Sequence, residues 1–282
     1  MDVGDFQQQA ELTAIYEGPD PAAFYMLGLA GEVGTLLSAW KKKLRDGGSD
    51  DAFASVATKE LGDILWYAAQ ISNELGVDLD AAASTVLAEA RKRWLVAEGG
   101  PDQLDIDAPD HERLPRKFEI QFSIEEDQTV MHLDGQRLGD PLTDNAHEPD
   151  EYRFHDVFHL AHAAVLGWSP VLRSLMRRKR KYDPKVDEVE DGARAIALEE
   201  GLTALVFRVA EGSQFFSGAR HVDTWLLDAV RRIVSQLEVR VRTANEWEIA
   251  ILTGYEVWRQ VKENGGGLVR CDLDLGTVEL VS

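Results

Sequence analysis

The chain has 282 residues, 44% hydrophobic and 28% charged, with a formal net charge of −20 and one cysteine. That length accommodates two domains of ordinary size, and the balance of apolar and charged residues is that of a folded protein rather than a disordered one. Cys271, standing alone, excludes an intrachain disulfide or a thiolate metal cluster, and the acidic balance argues against nucleic acid, whose binding rests on cationic groups.

The N-terminus, Met1 to Asp5, is acidic and lacks the apolar stretch of a signal peptide. No apolar run reads as long enough to span a bilayer, so no membrane partner is expected and the cytoplasm is the expected compartment. Apolar period and capping predict a short helix near Phe6 to Tyr16, broken by Gly18-Pro19-Asp20-Pro21. Further helices are predicted over about Ala22 to Leu44, Asp51 to Leu75, and from Asp78 to about Val96. Asp46-Gly47-Gly48-Ser49 ends the second, and Gly76 ends the third. Four helices with short polar connections make a bundle over residues 1–98.

Residues 99–115, rich in Gly, Pro and Asp, read as a linker. Phe118 to Phe122 alternates with period two, turns at Glu125-Glu126-Asp127, and returns over Val130 to Leu133. Gly139 to Asp150 reads as polar loop. From Tyr152 to about Asn264 the pattern is helical, with one long apolar stripe running from Val222 and Trp225 through Val241 to Trp258. Leu268 to Leu273 and Thr277 to Val281 read as closing strands that join the hairpin in a small antiparallel sheet. The fold class is therefore mainly α: an N-terminal four-helix bundle, then an α-rich domain with a small antiparallel β-sheet over residues 116–282.

Two segments carry the first chemical signal, Gly28-Leu29-Ala30-Gly31-Glu32-Val33-Gly34-Thr35-Leu36 and Lys59-Glu60-Leu61-Gly62-Asp63-Ile64-Leu65-Trp66-Tyr67. Glu60 and Asp63 leave one helix face, and Tyr67 follows one turn later. Antiparallel neighbours would bring Glu32 opposite both. Three anions buried together are costly unless a cation joins them, and hard Mg²⁺ takes oxygen ligands. The alternative is a solvated acidic helix face. Lys43 lies on the Glu32 face by helical angle. It belongs to the run Lys41-Lys42-Lys43 with Arg45, which serves either a triphosphate or the helix dipole. Trp66 and Tyr67 serve either as stacking surfaces or as core.

These segments, with Glu74-Leu75-Gly76-Val77-Asp78-Leu79, resemble the MazG-like family. The resemblance covers about the first third of the chain. It implies an all-α fold, a dimer or tetramer, and hydrolysis of a nucleoside triphosphate to a monophosphate and pyrophosphate. It implies Glu32, Glu60 and Asp63 as catalytic metal ligands for Mg²⁺, or Mn²⁺ in its place. It also suggests Lys43, Trp66, Tyr67 and Arg93 as substrate contacts. Thr35 stands where the family usually has a second Glu, and Val86 and Glu89 stand where it often has Asn and Lys; Arg91, Lys92 and Arg93 keep the positive charge.

A second signal lies in Tyr152-Arg153-Phe154-His155-Asp156-Val157-Phe158-His159-Leu160-Ala161-His162. His155, His159 and His162 share one helical stripe. Glu188, Asp191 and Glu199 share another, and Glu199-Glu200 can face the histidines. Either His155, His159, His162 and Glu199 hold a transition metal, or the histidines are hydrogen-bonded core residues. The run Arg177-Arg178-Lys179-Arg180-Lys181 either binds phosphate or a partner's acidic surface, or is a solvated helix end. From about Leu114 onward, through Gly139 to Asn145 and Tyr152 to His159, the chain resembles a C-terminal domain fused to some MazG-like proteins.

The reading is a Mg²⁺-dependent nucleoside triphosphate pyrophosphohydrolase, homo-oligomeric, with an accessory domain. Its alternatives are a nucleotide sensor with a weakened site, to which Thr35 points, and a metal-dependent hydrolase seated at the histidine stripe.

Overall fold

The computed structural model describes residues 1–47, 49–94 and 103–281, with the side chains of 92–94 excepted. The chain divides into two compact units, Met1–Arg91 and Lys92–Ser282.

The first unit contains helices α1 (Val3–Glu11), α2 (Pro21–Asp46) and α3 (Asp50–Leu75), and most of α4 (Leu79–Trp94). Pro21 opens α2, where the Asp20 carboxylate accepts from the Ala23 amide at 3.1 Å. Gly47, at φ 70°, takes the left-handed position that ends it, and Ser49 caps α3 at once. The chain therefore turns back tightly. Gly28 meets Tyr67, Glu32 meets Glu60, and Trp40 meets Phe53, the descending order of an antiparallel hairpin. A Cβ at Gly28 would collide with the Tyr67 ring, so that glycine sets the approach of the two helices.

Helix α1 is displaced from its predicted span. Asp2 caps it, so that it starts at Val3, three residues before Phe6, and it ends at Glu11. The Thr13 hydroxyl donates to the Ala10 carbonyl and accepts from the Trp66 indole at 2.7 Å. Gln7 then ties α1 to the α3–α4 turn: its amide donates to Asn73 Oδ1 and the Val77 carbonyl, and its carbonyl accepts from the Leu79 amide, all at 2.9 Å.

Among the described residues of this unit, the buried hydrophobic side chains are Ala10, Tyr25 and Ala69. Leu27, Leu37 and Leu44 on α2 are 75%, 62% and 69% exposed, and Leu61 and Leu65 on α3 are 50% and 55% exposed. Contrary to the sequence expectation, α2 is long and apolar enough, by length and composition alone, to cross a membrane. Most of its large apolar residues are exposed, Tyr25 being buried, and Glu32 interrupts them near mid-helix.

In the second unit one antiparallel sheet has the order β3-β2-β1-β4-β5. Its strands are β1 (Lys117–Glu125), β2 (Gln128–Leu133), β3 (Gln136–Leu142), β4 (Gly267–Asp272) and β5 (Thr277–Leu280). The closing strands join the hairpin as expected, with Ile120 opposite both Leu133 and Val269. Phe118, Ile120 and Phe122 point inward from β1 while their neighbours face out. The predicted loop at Gly139–Asp150 is corrected over its first residues, since β3 runs to Leu142. It is an edge strand, where Pro141 removes no ladder bond that the sheet needs.

The helices are α5 (Asp156–Leu166), α6 (Pro170–Leu175), α7 (Pro184–Val189), α8 (Ala193–Glu211), α9 (Thr224–Ile233) and α10 (Ala244–Asn264). Every residue of α5 is buried, and α5 packs along α10. Gly254 permits that contact, since a Cβ there would lie 3.1 Å from Ala161 and 3.3 Å from Phe158. The single long stripe expected from Val222 to Trp258 is two helices. A Thr243–Glu246 capping box starts the second afresh, and Trp225 and Val241, outside the common core, are 56% and 62% exposed.

The predicted linker, 99–115, is corrected where it is described. Asp105, Ala108 and Leu114 are buried in the second unit, and Asp105 accepts from Arg173 at 2.7 Å and from the Leu114 amide at 2.9 Å. Arg180 from the basic run is also turned inward rather than solvated. It is 2% exposed and is held between Asp191 and Glu238 at 2.8 and 2.6 Å. Cys271 is fully buried, and burial pushes its thiol up.

Candidate metal and carboxylate sites

The α2–α3 hairpin brings Glu32, Glu60 and Asp63 together, with one oxygen from each lying within 4.8 Å of the others. Glu60 is 5% exposed, and its Oε2 has no hydrogen-bond partner. Lys59 Nζ lies 2.7 Å from Asp63 and 3.5 Å from Glu60, so one cation is shared by two of the three anions. The Glu32 carboxyl is held above the ordinary carboxylate range, chiefly by its hydrogen bond with Glu60, then by loss of water and the charges of Glu60 and Asp63. Each of these facts describes an anionic cluster short of positive charge. A buried carboxylate with an orphaned oxygen, clustered with two further carboxylates, fits a hard divalent cation such as Mg²⁺.

Thr35 does not complete this set. Its hydroxyl donates to the Gly31 carbonyl at 3.2 Å, within its own helix. Thr35 instead lines a pocket of about 460 Å³ along the same hairpin, with Ser38, Lys42, Lys43, Phe53 and Val56. Lys43 pairs with Asp50 and lies over the Trp40 and Phe53 rings at 5.0 and 5.2 Å. Trp66 and Tyr67 join Tyr25 in an aromatic group at centroid distances of 5.8 and 6.4 Å. Packing thus accounts for both rings. The Arg93 side chain lies outside the described residues. Lys59 is the member of this site that sequence reasoning passed over, although its spacing of four from Asp63 was a usable signal.

The histidine stripe resolves into two layers. In the inner layer, His159 Nδ1 and His162 Nδ1 donate to Glu199 Oε1 at 2.9 and 3.0 Å, and Ser169 Oγ and the Val171 amide donate to Oε2 at 3.1 and 2.9 Å. Glu199 is 0% exposed. Burial pushes its carboxyl up, but the two histidines more than reverse this and hold it below the ordinary range; Glu199 in turn holds His159 above the ordinary imidazole range against the effect of burial. His162 also packs edge-on against Trp247 at 5.5 Å. Four donors saturate Glu199, so the expected ligand set of His155, His159, His162 and Glu199 divides between the layers: Glu199 and His162 belong to a hydrogen-bonded core, where they and His159 also come within 4.8 Å of one another, the spacing of a metal ligand set. Glu188 and Asp191 are not on the Glu199 helix either, because α7 ends at Val189 and Asp191 turns to Arg180. In the outer layer, His155 and His159 face Glu200, at 3.7 and 3.5 Å from its Oε2.

Comparison with known proteins gives two matches. The Gene 37 protein of Mycobacterium phage L5 is 34% identical over 112 residues, 36% of this chain and 98% of the phage protein. No solved structure matches. The MazG C-terminal domain matches residues 100–282, which contain the whole sheet and the histidine cluster. By that match, the chain belongs to the MazG C-terminal domain family.

Proposed function

We propose that the protein is a Mg²⁺-dependent pyrophosphohydrolase that cleaves a nucleoside triphosphate to a monophosphate and pyrophosphate. Membership of a MazG-related family supports a nucleotide-related role. The observation that carries the finer reading is Glu60, a buried carboxylate with one unpartnered oxygen, clustered with Glu32 and Asp63.

Glu32, Glu60 and Asp63 are the residues that would hold Mg²⁺. When bound, the ion offsets negative charge on phosphate oxygens and lowers the cost of its growth in the transition state. Lys59 keeps Asp63 and Glu60 pointed at one place. The neighbouring pocket offers an apolar wall at Phe53 and Val56 and cations at Lys42 and Lys43, a lining suited to a base and a phosphate chain. Lys43 would exchange Asp50 for substrate. The expected result is pyrophosphate release with Mg²⁺ from at least one member of a panel of common and modified nucleoside triphosphates. Silence across the panel overturns the reading. Binding without release, measured by calorimetry on the same panel, selects the second reading, a nucleotide sensor. Thr35 favours that reading, because its hydroxyl serves the helix backbone rather than the site.

We further propose that a second copy of the chain covers the apolar face of α2 and α3. The unit buries few hydrophobic side chains of its own, and a Cβ at Gly31, Gly34 or Gly62 would meet nothing within 4 Å, which leaves room for close approach. Exposed apolar patches of this extent mark association surfaces. Light scattering on the full chain should give the mass of a dimer or larger, and a monomer at micromolar concentration would refute it.

A further inference from the structure

The outer layer of the histidine cluster carries an inference independent of the carboxylate site. His155 Nδ1 lies 2.9 Å from the Tyr152 carbonyl oxygen, which can only accept, so Nδ1 carries the proton and Nε2 offers a lone pair when the ring is neutral. His159 Nδ1 is directed at Glu199 in the same way. That leaves His159 Nε2, which is fully buried and has no hydrogen-bond partner. It points toward Glu200, as His155 Nε2 does, at distances too long for a good hydrogen bond from either ring.

We propose that His155, His159 and Glu200 bind a divalent first-row transition-metal ion. Ligand bonds of about 2.0–2.2 Å place neighbouring donor atoms roughly 3.0–3.5 Å apart. The Glu200 oxygen stands 3.5 and 3.7 Å from the two ring nitrogens, and the three donor atoms lie within 4.8 Å of one another. One small ion between them would satisfy the orphaned His159 nitrogen and both loose contacts together. Two imidazoles with one carboxylate suit a borderline cation such as Zn²⁺, Co²⁺ or Fe²⁺, and suit Mg²⁺ poorly.

The support behind these ligands is that of a built metal site. A ligating histidine usually gives its other nitrogen to a carboxylate or a carbonyl, and here His159 has Glu199 and His155 has Tyr152. The Tyr152 ring also stacks on His155 at 4.4 Å and fixes its plane. Asp156 is buried close by, and its charge acts on both rings. The Glu200 side chain is 42% exposed, so the site opens toward solvent there and leaves coordination positions for water or a small anionic ligand.

The test is Co²⁺ binding to the tag-free full chain in excess Mg²⁺, which occupies oxygen-only sites. The expected result is one equivalent of Co²⁺ per chain with visible absorption bands of nitrogen ligation. His155→Ala and Glu200→Gln should each weaken binding at least about tenfold, since even outer-shell changes cost about 10–100-fold. Glu60→Gln should leave it unchanged. Both site variants alter partly exposed side chains, and circular dichroism checks that they fold. Absence of Co²⁺ uptake by the native chain, or equal uptake by folded His155→Ala and Glu200→Gln, overturns the proposal.

Discussion

Glu60→Gln should lower Mg²⁺-dependent pyrophosphate release by about 10²–10³-fold while making the metal-free protein more stable. The two effects arise from one cause. Glu60 is buried, its Oε2 is unpartnered, and two further carboxylates face it. Without a metal that arrangement is repulsive, and Lys59, itself 69% exposed at the side chain, offsets only part of it. A neutral amide removes one charge and brings a donor that Glu32 can accept, worth about 1 kcal/mol. With Mg²⁺ the sign reverses. The amide is a weaker ligand, and loss of several kcal/mol of charge stabilisation lowers turnover by about 10²–10³-fold. Mg²⁺ should then raise the melting temperature of the native chain and not that of the variant. A purely structural carboxylate would show neither dependence, so equal Mg²⁺ effects on both proteins would remove the basis of the assignment.

The helical hairpin was legible because its punctuation is local. Asp20-Pro21, Gly47 and Ser49 fix where α2 and α3 stop and start, and the spacing of Glu60 and Asp63 needs only the helical period. Glu32 then follows from the antiparallel return. The third strand was less visible, although Asp134-Gly135 is a strong hairpin signal: both residues adopt positive φ, 51° and 75°. Gly139 and Pro141 gave the opposite impression, because edge strands tolerate both. Choosing between Glu199 and Glu200 was beyond periodicity. Adjacent residues on a helix differ by about 100° in direction, and which faces the core depends on where Ser169 and the α6 amides lie. Arg180 shows the same limit. Within a run of five cations, only tertiary partners select the one that is buried.

Glu199→Ala should cost the C-terminal domain about 3–5 kcal/mol, the usual result of removing one partner from a buried charged pair. Four donors would lose their acceptor at once: His159 Nδ1, His162 Nδ1, Ser169 Oγ and the Val171 amide. Glu200→Gln, one residue away but partly exposed, should cost less than about 1 kcal/mol. In the metal-free protein the pair also sets the pH dependence. The Glu199 carboxyl is depressed on folding, so its contribution is complete above the ordinary carboxylate value of about 4.3 and is lost as pH falls below it. The His159 ring is raised on folding, so its contribution is complete below the ordinary imidazole value of about 6.5 and is lost as pH rises beyond it. Stability from this pair should therefore be greatest between about pH 4.3 and 6.5. In Glu199→Gln the alkaline loss should shrink, because burial then acts on His159 against Glu200 and Asp156 alone. Urea unfolding across pH, followed by tryptophan fluorescence near His162, reads both results. A Glu199→Ala domain within about 1 kcal/mol of native would mean that the inner layer does not stabilise the fold, and that nothing holds His159 toward Glu200.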